Sequence, residues 1–397
     1  METTSLERGA SGTREREFTS LRNAAEHIGV ASLRDGSWFG RIIASHMKKH
    51  VAGINAEHWD RLYPGLDPDQ RARKHITSVA RRAAAAGSIA SIGAGTGEIL
   101  ALLTDGLAAP VGLPAAAISM GLEAAYTSLL QVDLTCDIAS MYGVPFDGDD
   151  AGEVATLFGL ALEVDLRKKK NEGHEEEAHK DIDRGLTAKL LELETGEVAT
   201  RIGRKLLEDA FVKNSVPVAG IFISARWNYV GTKRLGLAVH KYVRYRRALI
   251  NACSRLRLNQ VTDPTVLVAG AWLLATTDGD AGHEEVMALA LIMDLLPEKT
   301  RHALELDKTL GDDEEAWFEL LAETPAAMHD ALLDVLYLVA ASDRELAAAE
   351  RRFLRRVCKA LGRQADVERV RQISRHLADG EDLPEGMFQC AATPEPA

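Results

Sequence analysis

Four short stretches carry residue types and spacings that reactions use. The first, SIGAGTGEIL at 91–100, runs through Gly93, Ala94, Gly95, Thr96 and Gly97 to Glu98, the spelling of a loop that cradles a nucleotide cofactor. Such a loop must leave a buried strand and open a helix, so that backbone N–H groups can approach the ligand. The residues before it, ARRAAAAGSIASI, are alanine-rich and hold no strand-like run, so a close-packed helix is predicted there instead. The second, HEEEAH at 174–179, resembles a zinc-peptidase helix, but His174 and His179 are five apart. That spacing turns them about 140° away from each other on a helix, so they cannot share one metal. The third, AISMG at 117–121, sets Ser119 in a nucleophile-elbow pattern without the strand the elbow needs. The fourth, VGTKR at 230–234, has Thr and Lys in the wrong order for a phosphate loop.

A hydrolase remains the alternative, built on Ser119 or on the acids Asp105, Glu123, Asp133 and Asp137. A cleft gathering several of these acids with a histidine would favour it; a filled core would favour a binding protein.

The strongest physical signal is a segregation of charge. The chain of 397 residues has a net charge of −12, yet between Asp209 and Asp263 it holds no acid and ten cations. Lys213, Arg226, Lys233, Arg234, Lys241, Arg244, Arg246 and Arg247 are the candidate anion-binding set, with Arg255 and Arg257 following. Trp227, Tyr229, Tyr242 and Tyr245 are interleaved with them, after the apolar run VPVAGIFISA at 216–225. Arginines, interfacial aromatics and apolar residues together are what a segment lying on anionic lipid uses. Nucleic acid is not expected: the chain as a whole repels a polyanion, and no groove-reading motif is present. The competing explanation is pairing within the protein, with the mixed-charge run DLRKKKNEGHEEEAHKDIDRG at 165–185 or with acids further on.

These segments must be positioned by helices. Apolar residues make up 46% and aromatics only 5%, with alanine and leucine abundant and β-branched runs few, so the expected fold is all-α. Cys136, Cys253, Cys358 and Cys390 form no paired motif, which fits a reducing cytoplasm. The start of the chain has no apolar segment of a secretory leader. The longest uncharged stretch, 106–122, is interrupted by Pro110 and Pro114 and is too short for a membrane span.

An internal repeat marks the C-terminal part. AGAWLLATTDGDAGHEEVMALALIMDLLP (269–297) aligns with LLDVLYLVAASDRELAAAERRFLRRVCKALG (332–362) at a constant shift, pairing Ala275 with Ala340, Asp278 with Asp343 and Glu285 with Glu350. Two copies of helix, acidic loop and helix predict a pseudo-symmetric helical domain. The acids read first as helix caps. Asp278, Asp280, Glu285, Asp343, Glu345 and Glu350 are also a candidate oxygen-ligand set for Ca²⁺ or Mg²⁺.

Two resemblances rest on these stretches. Residues 113–150 and 201–247 resemble the EcsC family through Asp137, Ile138, Ala139, Tyr142 and Gly143, through RIGRKL at 201–206, and through Pro217, Gly220, Asn228 and Tyr229. This sequence departs from the family in its charged insertion near 165–185. The resemblance implies a bacterial, envelope-linked setting and no defined reaction. The C-terminal repeat resembles the TerB tellurite-resistance family and the N-terminal helical domain of DjlA.

The expected organisation is therefore a disordered tail (1–20), a helical lead-in (21–74), an EcsC-like helical domain (75–255), a TerB-like helical domain (256–380) and a second disordered tail (381–397). The expected function is a non-enzymatic, stress- or envelope-linked adaptor, cytoplasmic and peripheral at the inner face of the cell membrane. Its partners would be the anionic membrane surface and another protein. A structural homo-oligomer is a further alternative, and no cofactor is expected beyond a divalent cation.

Overall fold

The structure, a computed structural model, describes Met47, His50 and residues 56–93, 115–144, 220–256, 258, 261, 263–277, 283–297, 301, 313–343 and 346–388. Among these residues there is no strand, and the all-α expectation holds. The helices are α1 (Ala56–Leu62), α2 (Pro68–Gly93), α3 (Ala115–Met141), α4 (Gly220–Ser254), α5 (Pro264–Thr276), α6 (His283–Asp294), α7 (Glu314–Glu323), α8 (His329–Ser342), α9 (Ala348–Ala360) and α10 (Val367–Asp379). No helix of the described residues is long and apolar enough to cross a membrane. Two compact units divide the chain, the first holding α1 to α3 and α4 through His240, the second the rest of α4 and all that follows.

In the first unit α2 packs along α3. Ala72, Ile76, Val79, Ala80, Ala83 and Ala86 are buried, the helical recurrence that makes one apolar stripe. Helix α3 is buried on nearly every side between Ala124 and Ala139, so it is the core helix. It stops at Gly143, whose φ of 68° is the left-handed turn glycine adopts without strain. The amide of Val144 then closes on the carbonyl of Ala139 at 3.0 Å. Small residues let the helices approach: a Cβ on Gly236 of α4 would lie 2.8 Å from Ile76 and 3.0 Å from Leu134.

Helix α2 runs unbroken across the expected boundary at 74/75 and through Gly93. The residues before the glycine-rich loop are thus helical, which removes the strand a cofactor loop needs. Ser119 lies within α3 and VGTKR within α4, so neither occupies the strand-to-helix turn its motif requires. HEEEAH, Asp105 and the charged run at 165–185 lie outside the described residues.

The second unit is built around α8, in which every residue from Ala331 to Ser342 is buried. Helices α5, α6 and α10 pack on it. The repeat is visible as structure: α5 and α8 start at 264 and 329, α6 and α9 at 283 and 348, and both pairs are 65 residues apart. Burial repeats with it, since Glu285, Ala288, Leu289 and Ile292 occupy the positions of Glu350, Phe353, Leu354 and Val357. Asp263, Asp313 and Asp366 cap α5, α7 and α10 by accepting the amides of Thr265, Ala316 and Arg369, each at 2.9 Å.

One expectation about chain ends is corrected. The chain does not leave the core at 381, because Leu383 and Phe388 are both buried at 3% exposure. Arg255 donates to the carbonyl of Leu383 and Arg369 to that of Met387. Two apolar anchors and two cation-to-carbonyl hydrogen bonds hold 381–388 against the unit, which the acidic, proline-containing sequence there does not advertise.

Candidate functional sites

The first unit contains a buried chain of histidines, carboxylates and phenols. Asp133 and Asp137 stand one helical turn apart on α3, so their side chains share a face. His50 spans them, its Nδ1 3.2 Å from Asp133 and its Nε2 2.9 Å from Asp137. The second oxygen of Asp137 lies 2.7 Å from Nε2 of His75 on α2. The Nδ1 of His75 is 3.0 Å from the hydroxyl of Tyr63, the residue that follows α1. Trp59 of α1 donates its indole N–H to Ser140 at 3.2 Å and meets the His75 ring edge-on. A second chain links Asp69, Tyr142 and His240, with the Tyr142 hydroxyl donating to Asp69 and lying 2.7 Å from Nε2 of His240.

An ionised carboxylate only accepts, so Nε2 of His50 donates to Asp137, while Nδ1 and Asp133 form an ion-pair contact that favours a positive ring. Burial opposes that charge, but the hydrogen bond to Asp137 and the charges of Asp133 and Asp137 outweigh it and hold the His50 pKa above its ordinary 6.5. Burial likewise opposes ionisation of Asp137, yet the hydrogen bonds and charges of His50 and His75 bring its pKa below 3.8. In the third contact Nε2 of His75 donates to Asp137, and its Nδ1 shares a hydrogen bond with the Tyr63 hydroxyl.

Neither the thiol nor the phenol at this cluster is activated as a nucleophile. Burial pushes the Cys136 thiol up to about 12, helped by Asp133 and Asp137, and burial also raises the Tyr63 hydroxyl. A nucleophile needs the opposite shift. Of the hydrolase residues weighed from sequence, the structure brings Asp133 and Asp137 together; Glu123 and Ser119 lie on α3 at positions whose side chains are not described. His50, His75, Tyr63 and His240 were missed by sequence reasoning. The available signal was a pair of acids one turn apart on an otherwise apolar helix, since a buried carboxylate demands partners.

The second site is the outward face of α4. Seven of the eight candidate anion-binding residues fall on this one helix, which carries no acid; Lys213 lies outside the described residues. Arg226, Lys233 and Arg234 are exposed, and Trp227, Val230 and Leu237 beside them are 50%, 44% and 48% exposed. Their spacing of three and four residues makes a single stripe. Asn228, Thr232, Leu235, Gly236 and Val239 face inward. Further along the helix, in the second unit, Lys241 and Arg247 are exposed while Arg244 and Arg246 are partly buried. Arg244 packs against Gly380, where a Cβ would lie 2.5 Å from its own.

Three of the six acids of the repeat, Glu285, Asp343 and Glu350, are among the described residues. Asp278, Asp280 and Glu345 lie outside the described residues. Asp343 sits at the C-terminal cap of α8, so it does not start α9. That task falls to Glu350, which accepts the amide of Ala347 at 2.6 Å, the return half of a capping box. Glu285 and Glu350 are buried. Among the described residues no group of three His, Cys, Asp or Glu side chains is arranged to hold a metal ion.

The second unit also has a buried ion pair. Arg369 donates to Asp334 at 2.5 Å, and its guanidinium lies over the Tyr337 ring, 5.3 Å from its centre. With its bond to Met387 this places Arg369 as a strut between α8, α10 and the C-terminal segment.

Comparison with known proteins agrees with the helical repeat. Residues 264–372 match the family described as Tellurite resistance protein TerB. The chain thus carries a TerB domain, spanning α5 to α10 up to residue 372. No curated protein matches the chain, and no solved structure does.

Proposed function

We propose that this protein is a non-enzymatic adaptor that lies on an anionic membrane surface through α4 and presents its TerB domain to a partner. One observation carries the reading. Along Arg226–Leu237 the exposed face of α4 alternates cations with large apolar side chains, on a helix without an acid. Such a face gains from lipid twice: apolar area leaves water, and each well-placed cation contributes about 1 kcal/mol at an anionic surface. The resemblance of 113–150 and 201–247 to EcsC supports an envelope-linked setting at the inner face of the cell membrane. The acids of the repeat are the proposed contact for a partner protein or for Ca²⁺ or Mg²⁺.

The test is flotation of the full chain with phosphatidylcholine vesicles and with vesicles containing phosphatidylglycerol, at low and high salt. Binding to the anionic vesicles alone, weakened by salt, is expected. Replacing Arg226, Lys233 and Arg234 by glutamine removes three cations, or about 3 kcal/mol, and should weaken partitioning about a hundredfold. Unchanged partitioning of that variant would refute the lipid reading.

A hydrolase is the second reading, and the convergence of Asp133 and Asp137 with His50 and His75 favours it. The raised Cys136 thiol and Tyr63 hydroxyl speak against it.

A further inference from the structure

We infer that the TerB domain carries a self-docking surface, on which the acidic face of α7 meets the basic face of α9 in a second copy of this chain. On α7, Glu315, Glu319 and Glu323 recur every four residues and are exposed, while Trp317 and Leu321 turn inward. On α9, Arg352, Arg355 and Lys359 are exposed at spacings of three and four, while Phe353, Leu354, Val357 and Cys358 turn inward. Helix α7 holds no cation, and the one acid of α9, Glu350, is buried. Each exposed face therefore carries a single sign of charge.

The two faces adjoin on the same unit. Helix α7 packs against α9, with Trp317 stacked on Phe353 at 5.4 Å and Phe318 6.1 Å from the same ring. Arg356 lies over the Phe318 ring, 4.6 Å from its centre, and donates to Glu314. This seam engages Glu314 and Arg356, and the two rows of like charge flank it in contact with solvent. The rows also match in length. Glu315 to Glu323 rises about 12 Å along α7, and Arg352 to Lys359 about 10.5 Å along α9.

Opposite charges in adjoining rows are what an isologous interface requires. A two-fold axis along the seam lays each copy's acidic row on the other's basic row, so the same contact forms twice. A partner of one sign would be repelled by one of the two rows; a second copy meets both with their opposites. Exposed ion pairs are individually weak, and the net charge of −12 opposes association away from this surface. The dimer is therefore weak, reversible and salt-sensitive. The surface lies within the TerB domain and does not depend on lipid binding by α4.

The experiment is analytical ultracentrifugation of the full chain over a concentration series, at low and high salt and without lipid. A dimer that grows with concentration and is weakened by salt is expected. Two charge-reversed variants locate it: Arg355→Glu with Lys359→Glu makes both rows acidic, and Glu319→Lys with Glu323→Lys makes both basic. Glutamate and lysine are good helix formers, and circular dichroism checks that each variant folds. Each alone should raise the dimer dissociation constant roughly tenfold or more, and mixing the two in equal amounts should restore association as a heterodimer. A full chain that stays monomeric throughout overturns the inference. So does a reversed variant that dimerises like the parent, which would place the contact elsewhere, or a mixture that stays monomeric. Should one variant fail to fold, the other decides by the same comparison with the parent.

Discussion

Replacing Gly270 by alanine sets two well-measured effects against each other. In a helix interior alanine is favoured over glycine by about 1 kcal/mol, so propensity alone makes Gly270→Ala stabilising. The structure says otherwise. A Cβ at 270 would lie 2.4 Å from Cζ2 and 2.9 Å from Cε2 of Trp317, distances at which something must move. The indole has little freedom: it is 2% exposed, stacks on Phe353 at 5.4 Å, and donates its N–H to the carbonyl of Val266 at 2.8 Å. Overpacking costs about 1–3 kcal/mol, and losing a buried hydrogen-bond donor's partner about 1–3 kcal/mol more. Subtracting the propensity gain leaves a net destabilisation of about 1–5 kcal/mol. For a unit of this size that lowers the melting temperature by roughly 3–20 °C. Urea unfolding followed by tryptophan fluorescence and circular dichroism is the assay, with Trp317→Phe and the double variant completing a cycle. The second substitution should cost less in the Gly270→Ala background than alone, since the phenyl ring vacates the contested space. A Gly270→Ala protein more stable than the parent would refute the packing argument.

Three other outcomes follow from the same structure. Asp137→Asn removes the acceptor shared by His50 and His75 and places an amide N–H against a ring N–H; breaking a buried pair costs about 3–5 kcal/mol, read as a lower urea midpoint. Because the Asp137 pKa is lowered in the fold, its stabilisation is present above 3.8 and lost as pH falls through the folded value, so acid unfolding of the wild type should be steeper than that of Asp137→Asn. Cys136 and Cys253 are buried, with thiols pushed up to about 12, and the Cys358 thiol is raised by burial; a thiol reagent at pH 8 should label these three only after denaturation. Leu383→Ala and Phe388→Ala should each cost about 2–5 kcal/mol, measured by thermal melting, whereas a free tail would tolerate both without change.

The sequence disclosed some of this architecture directly. Helix after helix is written in alanine, leucine and periodic apolar positions, and the shift relating Glu285 to Glu350 could be read before any coordinates. So could the acid-free stretch, seven of whose ten cations lie on α4. The histidine network could not. His50 and His75 are 87 and 62 residues from Asp137, and an isolated histidine among helical residues carries no mark of its partner. The split among the cations was equally hidden, because Arg226 and Arg244 differ only in what the fold lays beside them. The segment 381–388 looks like a polar tail because two apolar anchors in eight residues make no period.

The 65-residue repeat bears on how such a domain could arise. Helices α5 and α8 are apolar on every side, so a lone copy of the two-helix motif would show water a surface that must be covered. Within the domain α5 and α6 pack on α8, so each copy covers the other, and the two interiors differ: glycine at 270 corresponds to valine at 335, and alanine at 288 to phenylalanine at 353. The space beside Gly270 is occupied by Trp317, which stacks on Phe353 of the other copy. The halves have become complementary rather than equivalent, and exchanging one for the other would no longer rebuild the domain.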